Sequence, residues 1–389
     1  MQRQPLWTRE FWGMSLSSFF QYVTHYALIV ALPVFVMDTL QGNDWQAGLT
    51  MTFFQFGAVF CRPLAGKWID EIKKRTMLLV SLGLFLLVCM MYLGVGGLYF
   101  LLLVRLLHGA VFATGTTTTA TVAALVLPAR RKGEGIGYFA MFANLAMVVG
   151  PFISLWIMSR YAVRVLFAGC VVFALLSLWF GVRNKLPDIA GETAGRRGRL
   201  LEWDRFIEPK ALPVALTGGL LFFAYTGVLV LLPLYAKQLN LYQYTSGFFA
   251  IFALAILTTR PLVGKLFDRS GANTVVYPGF VMFVLGLIGL SQMQGPSGLF
   301  AAGAIIGAGF GALTPAFQTL AVQSAPGYRA GVATATYFWA LDISVGLGSI
   351  LLSVLVTYTG YANMYLCAGA VVVLSAAVYT CCAGRSPGR

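Results

Sequence analysis

Runs of about twenty apolar residues, separated by turns of a few polar ones, recur along nearly the whole of this 389-residue chain. A helix rising about 1.5 Å per residue needs roughly that length to cross a hydrocarbon core of about 30 Å. Lipid offers the backbone no hydrogen-bond partners, so each segment has to satisfy its own and helices are the natural solution. Twelve such runs are read at 12–36, 47–69, 76–95, 98–127, 135–158, 162–182, 211–236, 244–267, 273–293, 297–325, 329–356 and 360–382. A charged fraction of 10% against 59% hydrophobic residues belongs to the same reading, since soluble chains carry about a quarter charged residues. The expected fold is an all-α membrane protein of twelve transmembrane helices. Turns this short leave no room for a soluble catalytic domain.

Lys and Arg are concentrated in alternate turns. With the N-terminus placed inside, 23 of the 27 cations fall in cytoplasmic segments, and only Arg160, Arg164 and Lys237 fall in outer loops, with Arg105 inside a span. The positive-inside rule therefore predicts a multi-pass protein of the cell membrane with both termini cytoplasmic. The net charge of +14 is spread over many short turns on one side, which fits topology and anionic lipid better than nucleic acid. The six cysteines lie in or at the ends of apolar runs without metal or disulfide spacing, so neither a metal nor another cofactor is expected.

One nonapeptide occurs twice. Arg62-Pro63-Leu64-Ala65-Gly66-Lys67-Trp68-Ile69-Asp70 returns 198 residues later as Arg260-Pro261-Leu262-Val263-Gly264-Lys265-Leu266-Phe267-Asp268. The same offset relates Thr116 to Thr314, Thr121 to Thr319, Arg131 to Arg329, Gly133 to Gly331, Asn144 to Asp342 and Gly150 to Gly348. An offset of 200 relates Leu32-Pro33 to Leu232-Pro233. Six spans followed by six in the same orientation form a parallel repeat. The predicted organisation is a six-helix bundle over 1–182, a linker over 183–210 rich in glycine and charge, and a second, pseudo-symmetric six-helix bundle over 211–389. An Asp at the end of a span, among Lys and Arg of the next turn, can form charge-assisted bonds that hold one conformation closed.

On these residues the chain resembles the major facilitator superfamily over essentially its whole length. In that family the turn between the second and third spans carries a Gly, an Asp four residues later and then a basic cluster, here Gly66, Asp70 and Lys73-Lys74-Arg75. Glu71 stands where the family has Arg, and Lys73 where it has Gly; the second copy keeps Asp268-Arg269-Ser270-Gly271 and lacks the basic pair. Arg105 followed by Gly109 is similar to the family's fourth-span motif, and Gly137, Gly150 and Pro151 partly match its antiporter motif, without the glycines that would follow. The resemblance implies gating at Arg62, Gly66, Asp70, Arg75, Arg260, Gly264, Asp268, Arg269, Gly150 and Pro151. It also implies a substrate cavity lined by spans one, four, seven and ten, with Gln21, Tyr22, His25, Tyr26, Thr114, Thr117, Tyr225, Phe310 and Gln318 as candidates and Tyr337 and Trp339 added from span eleven.

Charge inside a span is expensive and therefore has to face a cavity or a partner. Arg105 is one such group, and its counterpart in the repeat is Gly303. Asp342 lies near the middle of span eleven, where a carboxyl can take up and release a proton. Together with His25 and His108, the only histidines, these are the candidates for proton coupling.

No phosphate-binding loop, metal motif or catalytic constellation is present, which argues against an ATP-driven pump or an enzyme. The expected function is a monomeric secondary transporter that exports a small organic molecule, such as a drug, a metabolite or a metallophore-like compound, by proton-coupled alternating access. Two alternatives are a proton-coupled symporter importing a sugar or other metabolite, and a sensor or lipid scramblase built on the same scaffold.

Overall fold

The computed structural model describes residues 5–42, 44–158, 160–183 and 205–383. Among them the chain is helical throughout, with helices α1 (Arg9–Val34), α2 (Asp44–Glu71), α3 (Lys74–Met91), α4 (Leu98–Val126), α5 (Lys132–Met158) and α6 (Val163–Val182) in the first half. The second half contributes α7 (Leu212–Gln238), α8 (Thr245–Ser270), α9 (Asn273–Ser291) and α10 (Pro296–Ser324). A final helical stretch, Ala330–Val378, is broken at Gly360 into α11 (330–359) and α12 (361–378). Gly360 sits at φ 77°, a conformation that a residue with a Cβ adopts only under strain. Most of the predicted linker, including Lys185, Arg196, Arg197 and Arg199, lies outside the described residues.

Ten helical stretches are long and apolar enough to cross a membrane, and the last of these, Gly327–Cys382, is the one that Gly360 divides. Helix α2 is not among the ten because Gln55 and Arg62 interrupt its apolar run, yet its 28 residues are enough to span. Counting both, the twelve expected spans are present. Large apolar side chains such as Phe60, Tyr99, Leu262 and Tyr358 stay exposed, as lipid-facing surface requires.

A wide π-type turn follows Pro33 at Phe35–Thr39, and another precedes Pro233 at Gly227–Leu231. Only the first lies between a Leu-Pro pair and its nonapeptide, so its extra residue accounts for one of the two by which the offsets of 200 and 198 differ.

The described residues cluster into two compact units that do not follow the sequence halves. Unit 1 comprises 1–128, 142–208 and 326–336, and unit 2 comprises 129–141, 209–325 and 337–389. The first turns of α5 thus belong to unit 2, and the first turns of α11 to unit 1. Inside unit 1 the core is a cluster of Leu28, Leu32, Tyr92, Leu101, Phe167 and their neighbours from α1, α3, α4 and α6.

Candidate functional site: matched aspartate latches and a buried basic cluster

Helices leave their first N–H groups without partners, and the start of α11 presents two of them to Asp70. Gly331 N–H donates to Asp70 Oδ1 at 2.9 Å and Val332 N–H to Oδ2 at 2.8 Å, all within unit 1. A carboxylate here also meets the positive end of the helix dipole. Asp70 is 5% exposed, so little water competes for it. Lys74 Nζ lies 3.6 Å from Asp70 Oδ1 and also donates to the Ile69 carbonyl.

Unit 2 repeats the arrangement. Gly133 N–H donates to Asp268 Oδ1 at 2.9 Å and Glu134 N–H to Oδ2 at 2.8 Å. Residues 133 and 134 are the counterparts of 331 and 332 at the 198-residue spacing, so the two latches copy each other atom for atom. The motif glycines account for the close approach. A Cβ on Gly66 would lie 2.5 Å from Ala335 Cβ and 3.0 Å from Val332 Cα, and one on Gly264 would lie 2.7 Å from Glu134 Cα.

The turns combine backbone and side-chain partners. The aspartates are held chiefly by backbone N–H groups, and the basic side chain that meets Asp70 is Lys74, while Arg75 and Arg269 are exposed. Arg62 and Arg260 are buried within their units. Arg62 Nη1 donates to Thr116 and Thr117 at 3.4 and 3.3 Å, and Arg260 Nη2 donates to Thr314 at 3.2 Å, again one contact copied by the repeat. Gly150 serves helix packing in unit 1, since a Cβ there would lie 2.8 Å from Tyr26 Cβ and 2.9 Å from the Val23 carbonyl oxygen; Pro151 follows inside α5.

A second cluster in unit 1 gathers the basic groups of α1 and α4. The guanidinium of Arg105, 1% exposed, lies over the Phe54 ring at 4.5 Å, and its Nε donates to the Thr50 carbonyl at 3.0 Å. His108 Nδ1 bonds the Tyr92 hydroxyl at 2.9 Å. His25 stacks on Phe112 with ring centroids 4.6 Å apart and lies 4.5 Å from Phe54. Arg105 Nη1, His108 Nε2 and His25 Nδ1 are all buried with no hydrogen-bond partner, and among the described residues no carboxylate pairs with Arg105. Tyr22 and Tyr26 stack next to the cluster, and Gln21 sits against Gly115, where a Cβ would lie 2.3 Å from Gln21 Oε1. Thr114 bonds within its own helix, and Thr117 receives Arg62.

In unit 2 the candidate residues form an aromatic stack. Tyr225 lies 4.2 Å from Phe310 and 5.7 Å from Phe252, centroid to centroid. The Tyr337 hydroxyl donates to the Thr314 carbonyl at 3.2 Å, Gln318 is buried on α10, and Trp339 and Asp342 are half-buried on α11. Sequence reading missed Tyr92, Phe54 and Phe112, which shape the unit 1 cluster but look like ordinary apolar positions. It also missed Glu134 and Glu208, whose partners are distant or lie across a turn.

The family described as Major Facilitator Superfamily matches residues 14–349 and 248–388 of the chain. Multidrug resistance protein MdtG of Yersinia enterocolitica is 27% identical over 98% of this chain and 94% of its own length. Among solved structures, the human organic anion transporter MFSD10 (TETRAN) superposes with a TM-score of 0.81 at 14% identity, covering 97% of this chain and all of that one. The proton:xylose symporter XylE gives 0.79 at 15% identity, covering 96% and 94%.

Proposed function

This chain belongs to the major facilitator superfamily and is a multi-pass secondary transporter, and on that premise we propose that it exports a small organic molecule by proton-coupled alternating access. The observation that carries this reading is the pair of matched latches. Two identical sets of backbone bonds to Asp70 and Asp268 give the repeat two equivalent places to fasten and release a helix start, which is what a two-state carrier needs. In this reading both latches and both chain termini face the cytoplasm.

Export is supported by the similarity to multidrug resistance protein MdtG along nearly the full chain. Asp342, half-buried in the middle of α11, supplies the proton site, and Arg105, buried over Phe54 in unit 1, is the second coupling charge. His25 and His108 line the same region of unit 1 as Arg105. The aromatic residues proposed to meet substrate are Tyr22 and Tyr26 within unit 1 and, described separately, Tyr225 and Phe310 within unit 2.

Expression in a bacterial host deprived of its own efflux pumps tests this. Steady-state accumulation of fluorescent drugs, ethidium among them, should fall, and a protonophore should restore it. Asp342→Asn and Arg105→Ala should each lower the initial efflux rate about tenfold or more, as expected when a coupling charge worth at least 1.4 kcal/mol is removed. Greater accumulation in expressing cells would mean import, and unchanged efflux in both variants would remove the coupling assignment.

A further inference from the structure

The latches copy each other, but the groups behind them do not. In unit 2 the turn Ala129–Arg131 leads into α5, and Arg131 pairs with Glu134 three residues on, with both Nε and Nη2 at 2.8 Å from Glu134 Oε2. That carboxylate fixes the first turn of the helix whose N–H groups Asp268 holds. In unit 1 the corresponding turn is Gly327–Arg329, and the residue three positions after Arg329 is Val332. The repeat has lost its acid at the place where the latch closes.

Glu208 makes good the loss. It arrives from the end of the linker, is 4% exposed, and its Oε2 accepts from Arg329 Nε. Its own N–H donates to Thr336 Oγ1 at 2.9 Å, one turn beyond Val332 on α11, and the Ile207 carbonyl accepts from Arg329 Nη2 at 3.4 Å. Two residues earlier, the Phe206 ring lies 5.2 Å from the ammonium of Lys67, which follows Gly66 on the other side of the latch. The acid that matches Glu208 at the 198-residue spacing is Glu10, in the first turn of α1, whereas Arg131 takes its carboxylate from Glu134.

We propose that Glu208 is a positioning residue of the transport cycle: it replaces the missing repeat carboxylate, fixes the start of α11 for Asp70, and so ties release of this latch to movement of the linker. The Asp268 latch has its carboxylate in its own helix. A turn held by two neighbouring side chains opens with the helix alone. A turn held by residue 208 opens only when the linker end moves with it. The consequence is that the two latches, alike in their backbone bonds, are unequal in what controls them.

Hydrogen–deuterium exchange on the full-length protein in detergent reads this without any substrate. Glu208→Gln should speed exchange in the peptide covering 330–336 about tenfold or more, the size expected on losing a charge-assisted bond to Arg329, and leave the peptide covering 132–138 unchanged. Adding Val332→Glu to that variant rebuilds the pair Arg329–residue 332 on the pattern of Arg131 and Glu134, and exchange should return to within about threefold of the parent. Glu134 holds the matching position in the repeat, its Cα against Gly264 as the Val332 Cα stands against Gly66. Should Glu208→Gln fail to accumulate, Thr336→Val removes the acceptor of the Glu208 N–H together with the hydroxyl's bond to the Val332 carbonyl, and should give a smaller rise in the same peptide. Parental exchange in Glu208→Gln or Thr336→Val, or a rise that Val332→Glu does not reverse, would overturn the assignment.

Discussion

Asp70→Ala should cut the turnover number about 10- to 100-fold while leaving apparent substrate affinity within about twofold, because bonds to a charged acceptor contribute roughly 1.5–3 kcal/mol each and every 1.4 kcal/mol is tenfold. The variant loses the acceptors of Gly331 and Val332 N–H and leaves Lys74 without the carboxylate 3.6 Å away. A buried ammonium and two buried N–H groups then have to find other partners, and the latched state is the one that suffers. The bonds lost are those to Gly331, Val332 and Lys74 rather than bonds to substrate, so affinity is spared. Asp268→Ala should act in the same direction and more weakly, since Asp268 is only half-buried and has no counterpart of Lys74. Initial rates over a range of substrate concentrations, normalised to membrane abundance, separate the two parameters. Turnover within twofold of the parent would reduce the Asp70 turn to a topological stop.

Gly109→Ala is expected to disrupt unit 1 outright. A Cβ at this position would lie 1.9 Å from the Phe54 carbonyl oxygen and 3.0 Å from the Ala58 nitrogen, and backbone atoms cannot swing aside as a side chain can. Gly57 faces the same crossing from α2, where a Cβ would lie 2.0 Å from the Leu106 carbonyl oxygen. Overpacking of a well-fitted interior costs about 1–3 kcal/mol, and separation of α2 from α4 would add the loss of the Arg105 bond to Thr50 and its seat on Phe54. The variant should show a lowered thermal midpoint in detergent and lose activity. Gly83→Ala, where a Cβ meets nothing within 4 Å, is the matched control and should behave as the parent. A parental midpoint for Gly109→Ala would contradict the close crossing.

The extent to which the molecule can be read from its residues follows from what each interaction leaves in the sequence. Apolar runs and the nonapeptide repeat carry the span pattern and the membrane class, and both latch aspartates stand at the same place in that repeat. Their partners are backbone N–H groups, which have no side-chain signature; Gly133 and Gly331 match in the repeat, but nothing in their identity says that they donate. Lys74 lies four residues after Asp70, so its pairing is a matter of helical phase across a short turn, whereas Arg75 in the same basic run points away. Phe54 and Phe112 are indistinguishable from packing residues until Arg105 and His25 are placed on their rings. Glu208 is the hardest case, since its role depends on Val332, 124 residues further on, standing where the other copy of the repeat has Glu134.

The direction of flux in everted membrane vesicles with an imposed pH gradient tests proton-driven export most directly. With the lumen acidified, the substrate found in the efflux screen should accumulate inside. Dissipating the gradient should abolish the accumulation, and Asp342→Asn vesicles should show none. Accumulation confined to right-side-out vesicles with acid outside, or flux indifferent to the gradient, would contradict the account.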